Sequence, residues 1–107
     1  TQDLPKLVNT PEVRFDVDES EKFGIVPKIL ANMRENTPEG VLDIDDIDGI
    51  RVSTDDGWWL MRPSNTQSVL VARVEAKDEA GLARLKEMAI EQVTKLGYDL
   101  DFEQTNH

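Results

Sequence analysis

The sequence predicts an α+β domain with the element order β-α-β-β-β-α, in which a four-stranded antiparallel sheet carries two helices on one face. Three observations predict this class. Apolar residues alternate with polar ones in several short segments, which is the period of half-buried strands. Two longer segments repeat apolar residues at helical spacing. A tight-turn sequence, Asp55-Asp56-Gly57, separates two of the strand-like segments.

The first strand and the first helix are predicted in the first third of the chain. Residues 13–17 alternate apolar and charged, as a half-buried strand does. Residues 18–20, Asp-Glu-Ser, offer a helix N-cap and an acidic first turn. The apolar stripe of this helix comprises Phe23, Val26, Ile29, Leu30 and Met33. Pro27 interrupts the stripe because proline lacks a backbone donor, so it either kinks the helix or marks its start.

The remaining strands and the second helix follow a turn at residues 37–40. Residues 41–54 contain strand-like apolar positions, residues 58–61 form the returning strand of the hairpin, and residues 68–76 form the next strand. Asp78 is the predicted cap of the last helix, and Gly97 takes the left-handed position at its end. The buried face of this helix comprises Leu82, Leu85, Ala89, Val93 and Leu96.

Length and charge restrict the class of protein. The 107 residues suffice for one domain, predicted over residues 12–98, with a linker or arm in residues 1–11 and a tail in residues 99–107. The formal net charge of -10 repels nucleic-acid backbones and anionic membrane surfaces, so neither is an expected partner. The absence of cysteine excludes disulfides and thiolate metal sites and is compatible with the cytoplasm, which is the expected location.

Three candidates for chemistry are weak. The acidic cluster Asp43, Asp45, Asp46 and Asp48 resembles a calcium loop, but Ile47 stands where a third carboxyl is needed, so a solvated strand face is the ordinary explanation and no metal site is predicted. His107, the one histidine, is the last residue, which excludes a catalytic triad. Trp58 and Trp59 point to opposite faces of a regular strand, so one packs in the core and the other is available for core packing elsewhere or for stacking on a sugar.

Residues 62–66, Arg-Pro-Ser-Asn-Thr, form the strongest candidate site. Phosphate is a tetrahedral dianion, and its good partners are a forked guanidinium, short hydroxyls and the backbone N–H groups of a tight loop. The fork, two hydroxyls and an amide come from Arg62, Ser64, Thr66 and Asn65. Residues 57–74 also contain no Asp or Glu. From residue chemistry alone, an anion-binding loop and an ordinary turn with one exposed arginine remain equal alternatives.

A family resemblance rests on the same loop. Residues 57–66 resemble the signature of the C-terminal domain of α-D-phosphohexomutases, whose loop commonly reads R-P-S-N-T-E-P or R-P-S-G-T-E-P. Residues 9–14 resemble the start of that domain, 48–52 its D-G-hydrophobic-R-V strand, and 70–76 the strand after the loop. The S-N-T form is similar to the phosphomannomutase/phosphoglucomutase branch.

Two positions depart from the family pattern. Gln67 replaces the usual Glu, which removes a charge but leaves an amide oxygen that can accept from a sugar hydroxyl. Ser68 replaces the usual Pro, which loosens the exit of the loop.

The resemblance implies a fold and an activity. The fold of the family domain is similar to that of TATA-box-binding protein. Enzymes of the family transfer a phosphoryl group between C1 and C6 of a hexose through a bisphosphorylated intermediate, using a phosphoserine and Mg²⁺ in earlier domains. Neither a T-A-S-H-N-P loop nor a D-G-D-x-D-R loop occurs in these 107 residues. We therefore expect the chain to be the last domain of such an enzyme, without catalytic residues, a cofactor or activity of its own.

The resemblance also assigns roles and partners. The residues expected to bind the non-transferring phosphate are Arg62, Ser64, Asn65 and Thr66. Gln67 is placed near a sugar hydroxyl, and Arg73 adds positive potential or, as an equal alternative, pairs with a surface acid. The expected ligands are the 1-phosphates, 6-phosphates and 1,6-bisphosphates of glucose and mannose, and the expected protein partners are the other domains of the parent enzyme. The alternative from another class is a stand-alone, non-catalytic module of the same fold that binds a phospho-ligand or a protein.

Overall fold

One antiparallel sheet and two helices build the fold. The computed structural model describes residues 8–10, 12–47, 49–100 and 102. In chain order, its strands and helices are β1 (Val8–Asn9), β2 (Val13–Asp16), α1 (Lys22–Glu35), β3 (Val41–Asp45), β4 (Ile50–Thr54), β5 (Gly57–Pro63), β6 (Val69–Ala76) and α2 (Glu79–Thr94). The predicted α+β class is confirmed. Asp48, His107 and most of the predicted arm lie outside the described residues.

The sheet has the strand order β1-β6-β5-β4-β3, and β2 also pairs with β6. The sheet has six strands rather than the predicted four. Residues 41–54 form the two antiparallel strands β3 and β4, with Ile44 opposite Val52, and residues 8–9 of the predicted arm form β1, which pairs with β6. Gly49 precedes β4 at φ +99°, a backbone conformation that L side chains rarely adopt. The chain thus reverses before β4, which lies directly beside β5.

Alternate residues of the strands build the core. Side chains that face each other across neighbouring strands share a face of the sheet, and one face packs against both helices. Its fully buried strand residues are Ile50, Val52, Trp59, Met61, Leu70, Ala72 and Val74. Trp58 precedes Trp59 and therefore points to the opposite face, where it is half-buried. The prediction that the two tryptophans point to opposite faces, with one of them in the core, is confirmed.

The start and the buried face of α1 differ from the prediction. Residues 18–21 form a turn closed by a Glu21 N–H to Asp18 carbonyl bond of 3.0 Å, and the helix begins at Lys22 without a side-chain cap. Pro27 lies inside the helix, so it does not mark its start. Phe23, predicted to be buried, is 62% exposed, and Lys22 is buried in its place. The physical reason is that the buried face contains Ile25 and Ile29, which lie one and two turns after Lys22.

The ends of α2 are as predicted, and the chain after it returns to the core. The carboxylate of Asp78 accepts a hydrogen bond of 2.7 Å from the N–H of Gly81, and Gly97 has φ +90°. Leu100 and Phe102, in the segment expected to be a tail, are buried with the core residues. In the described part of the chain no helix is both long and apolar enough to cross a membrane.

Candidate phosphate-binding site

Arg62 lies near the C-terminal end of β5 with an exposed side chain. Gly49 packs against the strand at this point: a Cβ on residue 49 would lie 2.4 Å from the carbonyl oxygen of Met61. Only glycine tolerates that approach at a positive φ. No carboxylate of the described residues forms an ion pair with the Arg62 guanidinium. Its donors are therefore available to an anion.

The loop after Arg62 is organised by the side chain of Ser64. The N–H of Ser64 donates to the carbonyl of Val69 at 3.0 Å, which closes the loop. The Ser64 hydroxyl oxygen accepts from the backbone N–H groups of Thr66 and Gln67, both at 3.3 Å. Because these bonds use only the acceptor capacity of the hydroxyl, its proton stays available to a phosphate oxygen. Asn65, Thr66 and Gln67 are exposed, so their side chains can also reach a ligand.

The exit of the loop is attached to the segment between β2 and α1. The carbonyl of Gln67 accepts a hydrogen bond of 2.9 Å from Lys22 Nζ, and the carbonyl of Ser68 accepts one of 3.0 Å from the N–H of Val17. The Ser68 hydroxyl donates to the carboxylate of Glu19. The hydroxyl bond to Glu19 is the contact that serine adds here, because a proline at this position would keep the carbonyl but have no hydroxyl.

Three arginines surround Leu60 on the face of the sheet opposite the helices. We call this the open face; it carries Arg51, Trp58, Leu60, Arg62 and Arg73. Arg51 on β4 and Arg73 on β6 lie directly opposite Leu60. Arg62 lies two residues along β5 from Leu60 and shares its face. By the same strand pairing, Asp45 opposite Arg51 and Glu75 opposite Trp58 also lie on this face, so its arginines are interspersed with carboxylates.

An open cavity of about 310 Å³ lies beside Arg62. Its lining comprises Asp45, Ile47, Gly49, Arg51, Leu60 and Arg62. Its volume is at the lower end of the range of small-molecule sites, about 300–1,000 Å³. The cavity is lined by two guanidinium groups and one carboxylate. Because Asp45 pairs with Arg51, Arg62 is the lining arginine that has no ion pair among the described residues.

Arg73 stacks on an aromatic ring. Its guanidinium carbon lies 6.0 Å from the centre of the Trp58 ring, within the range of cation–π contacts. No described carboxylate pairs with it. Among the described residues, Arg73 therefore does not form the surface ion pair that was the alternative, and its positive charge lies on the open face. Trp58 is covered by this guanidinium, which leaves less of its ring for a sugar.

Sequence reasoning missed two residues around the site. Arg51 was recognised only as part of a family-like strand, yet it lines the cavity and lies 3.8 Å from the carboxylate of Asp45. The alternation of buried Ile50 and Val52 around Arg51 is a signal that places it on the open face. Lys22 was not considered, because a lysine that follows an acidic segment, here Glu21, is normally a solvated residue.

The acidic cluster is engaged in ion pairs. Asp45 pairs with Arg51 and accepts from the N–H of Ile47 at 2.9 Å, while Asp46 pairs with Arg34 at 3.1 Å. Among the described residues, no group of three or more His, Cys, Asp or Glu side chains could hold a metal ion.

Comparison with known proteins identifies the family. The family model described as "Phosphoglucomutase/phosphomannomutase, C-terminal domain" matches residues 12–92. The match includes the whole loop of residues 62–66, all of α1, and α2 except its last two residues. The chain belongs to the phosphoglucomutase/phosphomannomutase family, of which it carries the C-terminal domain.

Relatives and a solved structure agree with this assignment. The chain is 35% identical over 97 residues to a phosphomannomutase/phosphoglucomutase of Pseudomonas putida, covering 91% of this chain and 20% of that protein. It is 40% identical over 83 residues to a phosphoglucomutase of Neisseria gonorrhoeae, covering 78% of this chain and 18% of that protein. A crystal structure of a phosphoglucomutase/phosphomannomutase family protein from Burkholderia thailandensis superposes with a TM-score of 0.74 at 30% identity, covering 91% of this chain and 20% of that one. The chain thus spans about a fifth of the length of these relatives.

Proposed function

We propose that this domain binds the phosphate group of a hexose phosphate with the loop of residues 62–66, as the last domain of a phosphohexomutase. The parent enzyme would interconvert hexose 1-phosphate and 6-phosphate through a bisphosphorylated intermediate. The names of the relatives, phosphomannomutase/phosphoglucomutase and phosphoglucomutase, support glucose and mannose phosphates as the substrate class.

One observation carries the proposal: the Arg62 guanidinium is exposed, without an ion pair among the described residues, and it lies beside a cavity and at the start of a hydroxyl-rich loop. A guanidinium without an ion pair among the described residues suits an external anion, because its fork can donate to two phosphate oxygens at once.

The other site residues complete the phosphate shell. Ser64 and Thr66 would donate their hydroxyl protons, and Asn65 its amide protons, to the remaining phosphate oxygens. Gln67 would contact a sugar hydroxyl, and Arg73 would add positive potential from β6. Since these groups recognise phosphate rather than the sugar ring, the site can hold either end of a hexose bisphosphate. That property suits an intermediate which must turn over between two transfers.

The chemical step would belong to the rest of the parent enzyme. A phosphoserine and Mg²⁺ are the phosphoryl carrier and the charge-neutralising ion of this reaction class, and we place both in domains other than this one. What this chain contributes is binding and orientation: it would hold the phosphate that is not transferred while the other end of the sugar reacts.

A titration followed residue by residue tests the proposal. Glucose 6-phosphate is added to the isotope-labelled chain and the backbone amide shifts are mapped by NMR, with glucose as the matched ligand that lacks phosphate. We expect a dissociation constant of about 1 mM or weaker, because one dianion on an open surface contributes only about 4 kcal/mol after ordering and desolvation costs. The shifts should concentrate at residues 62–67 and be absent with glucose. Shifts confined to α1 and α2, or equal shifts with glucose, would contradict the phosphate site.

A further inference from the structure

We propose that Lys22 is a positioning residue for the phosphate loop: its buried ammonium holds the Gln67 carbonyl and thereby fixes the loop that presents Ser64 and Thr66. This inference rests on the proposed function for its consequence in binding. The tether itself can be tested without any ligand.

The first observation is the burial of a charge. Lys22 is only 3% exposed, and lysine is almost never fully buried unless its ammonium has partners, because removing the charge from water is costly. Three groups surround Lys22 Nζ. It donates to the Gln67 carbonyl at 2.9 Å, lies 3.9 Å from the carboxylate of Glu19, and lies 4.8 Å from the centre of the Phe23 ring. These contacts of the ammonium group hold the Lys22 side chain in its buried position.

The second observation is that both sides of Gln67 are held. Its N–H donates to the hydroxyl oxygen of Ser64, and its carbonyl accepts from Lys22 across 45 positions of sequence. The hydrogen bond from Lys22 is charge-assisted, so it is roughly twice as strong as the neutral bond inside the loop. Because the peptide units on both sides of Gln67 are held, the Gln67 N–H is fixed against the Ser64 hydroxyl oxygen, which leaves the hydroxyl proton fewer directions to point in.

The third observation is that a neighbouring contact secures the same loop exit. Glu19 accepts from the Ser68 hydroxyl and also lies near Lys22, so the loop exit and the start of α1 share one carboxylate. The N–H of Val17 adds a backbone bond to the Ser68 carbonyl. Lys22 is the charged group of this tether that is buried, and it is not one of the groups proposed to contact phosphate.

A loop fixed before the ligand arrives loses less entropy on binding, which raises affinity without adding a contact. Removing the ammonium should therefore weaken phosphate binding even though Lys22 is not part of the proposed phosphate shell. A residue that merely stabilises the fold would not loosen the loop selectively. The mobility of residues 64–68 separates the two roles.

The test compares four variants of the chain. Lys22→Met keeps the stem and removes the ammonium, Lys22→Arg keeps a positive donor, and Glu19→Gln weakens the tether from an exposed position. Val93→Ala, in the core of α2, matches the loss of stability without touching the loop. Backbone ¹⁵N order parameters are measured without ligand, and the dissociation constant for inorganic phosphate is measured by NMR titration.

For Lys22→Met we expect the order parameters of residues 64–68 to fall from about 0.85 towards 0.6, and the dissociation constant to rise about fivefold. For Lys22→Arg, the order parameters and the dissociation constant should lie between those of Lys22→Met and those of the wild type. Val93→Ala should change neither quantity. The proposal is overturned if Lys22→Met leaves the loop as rigid as in the wild type or changes it no more than Val93→Ala does. If Lys22→Met does not fold, Glu19→Gln decides in the same way through the mobility of residues 67 and 68. Should the wild type not bind phosphate, the proposed function fails, while the order parameters still decide the role of Lys22.

Discussion

Gly49 lies so close to Arg62 that a Cβ on residue 49 would stand 2.7 Å from the Cβ of Arg62. Real Cβ atoms do not approach so closely, and Gly49 also has φ +99°. The turn before β4 and the residue proposed to bind phosphate are therefore packed backbone to backbone. The position of Arg62 depends on a residue that carries no functional group.

The first prediction follows from this contact. Gly49→Ala should destabilise the chain by about 1–3 kcal/mol, because it combines a strained φ with displacement of β5 at Met61 and Arg62. Urea unfolding measures the change. The matched control is Gly24→Ala in α1, where nothing lies within 4 Å of an added Cβ and alanine favours the helix, so stability should rise by about 0.5–1 kcal/mol. Equal changes in stability for the two substitutions would contradict the close packing of residue 49 against Met61 and Arg62.

The second prediction concerns acid stability. The Arg84 guanidinium donates to both carboxylate oxygens of Asp56, at 2.8 and 2.7 Å, and lowers the pKa of Asp56 below its ordinary value. A carboxyl with a lower pKa in the folded state stabilises the fold above the ordinary aspartate value of about 3.9, and that contribution is lost as pH falls through the folded pKa.

Asp56→Asn should therefore be less stable than the wild type near neutral pH and should lose less stability than the wild type below about pH 4. Thermal midpoints measured across this range check both halves of the prediction. Asp55→Asn, at the exposed neighbouring position, is the control and should follow the wild-type curve. Parallel curves for Asp56→Asn and the wild type would mean that the bidentate pair contributes nothing to acid stability.

The third prediction is that the chain alone does not interconvert glucose 1-phosphate and glucose 6-phosphate. Phosphoryl transfer depends on positioning and charge neutralisation, and neither the phosphoserine loop nor the metal loop of the family pattern occurs in these residues. A coupled assay for glucose 6-phosphate, with a full-length phosphoglucomutase as the positive control, measures this. Turnover above the background of the assay would contradict the proposed division of labour between this domain and the rest of the enzyme.

Much of the fold was predictable because local patterns and the final packing agree. The alternation in β2 and β6, the Asp78 cap and the Asp-Asp-Gly turn each specify their own element. The split of residues 41–54 was not predicted, because the pattern of apolar residues is compatible with one long strand and the reversal depends on the backbone of Gly49. In α1, periodicity alone did not distinguish between two rotations of the helix, and the core selected the one that buries Lys22 rather than Phe23.

The loop was predictable as a unit, but its surroundings were not. Residues 62–67 are contiguous, so their chemistry can be recognised in the sequence. Arg51 comes beside Leu60 through the register of the β4–β5 hairpin, and Lys22 reaches Gln67 across the fold. Contacts of this kind depend on tertiary packing, which no local pattern contains.

The most direct test of the phosphate site is the kinetic effect of Arg62→Lys in the full-length protein that contains this domain. Lysine keeps the charge but loses the fork that would hold two phosphate oxygens, so we expect kcat/KM to fall about 30- to 150-fold, equivalent to roughly 2–3 kcal/mol. Stability should change by no more than about 0.5 kcal/mol, because Arg62 is exposed. Arg84→Lys, an exposed arginine paired with Asp56 at the opposite end of β5, is the control and should keep kcat/KM. A near-normal kcat/KM for Arg62→Lys together with a lower thermal midpoint would show that the loop is structural and does not bind the phosphate.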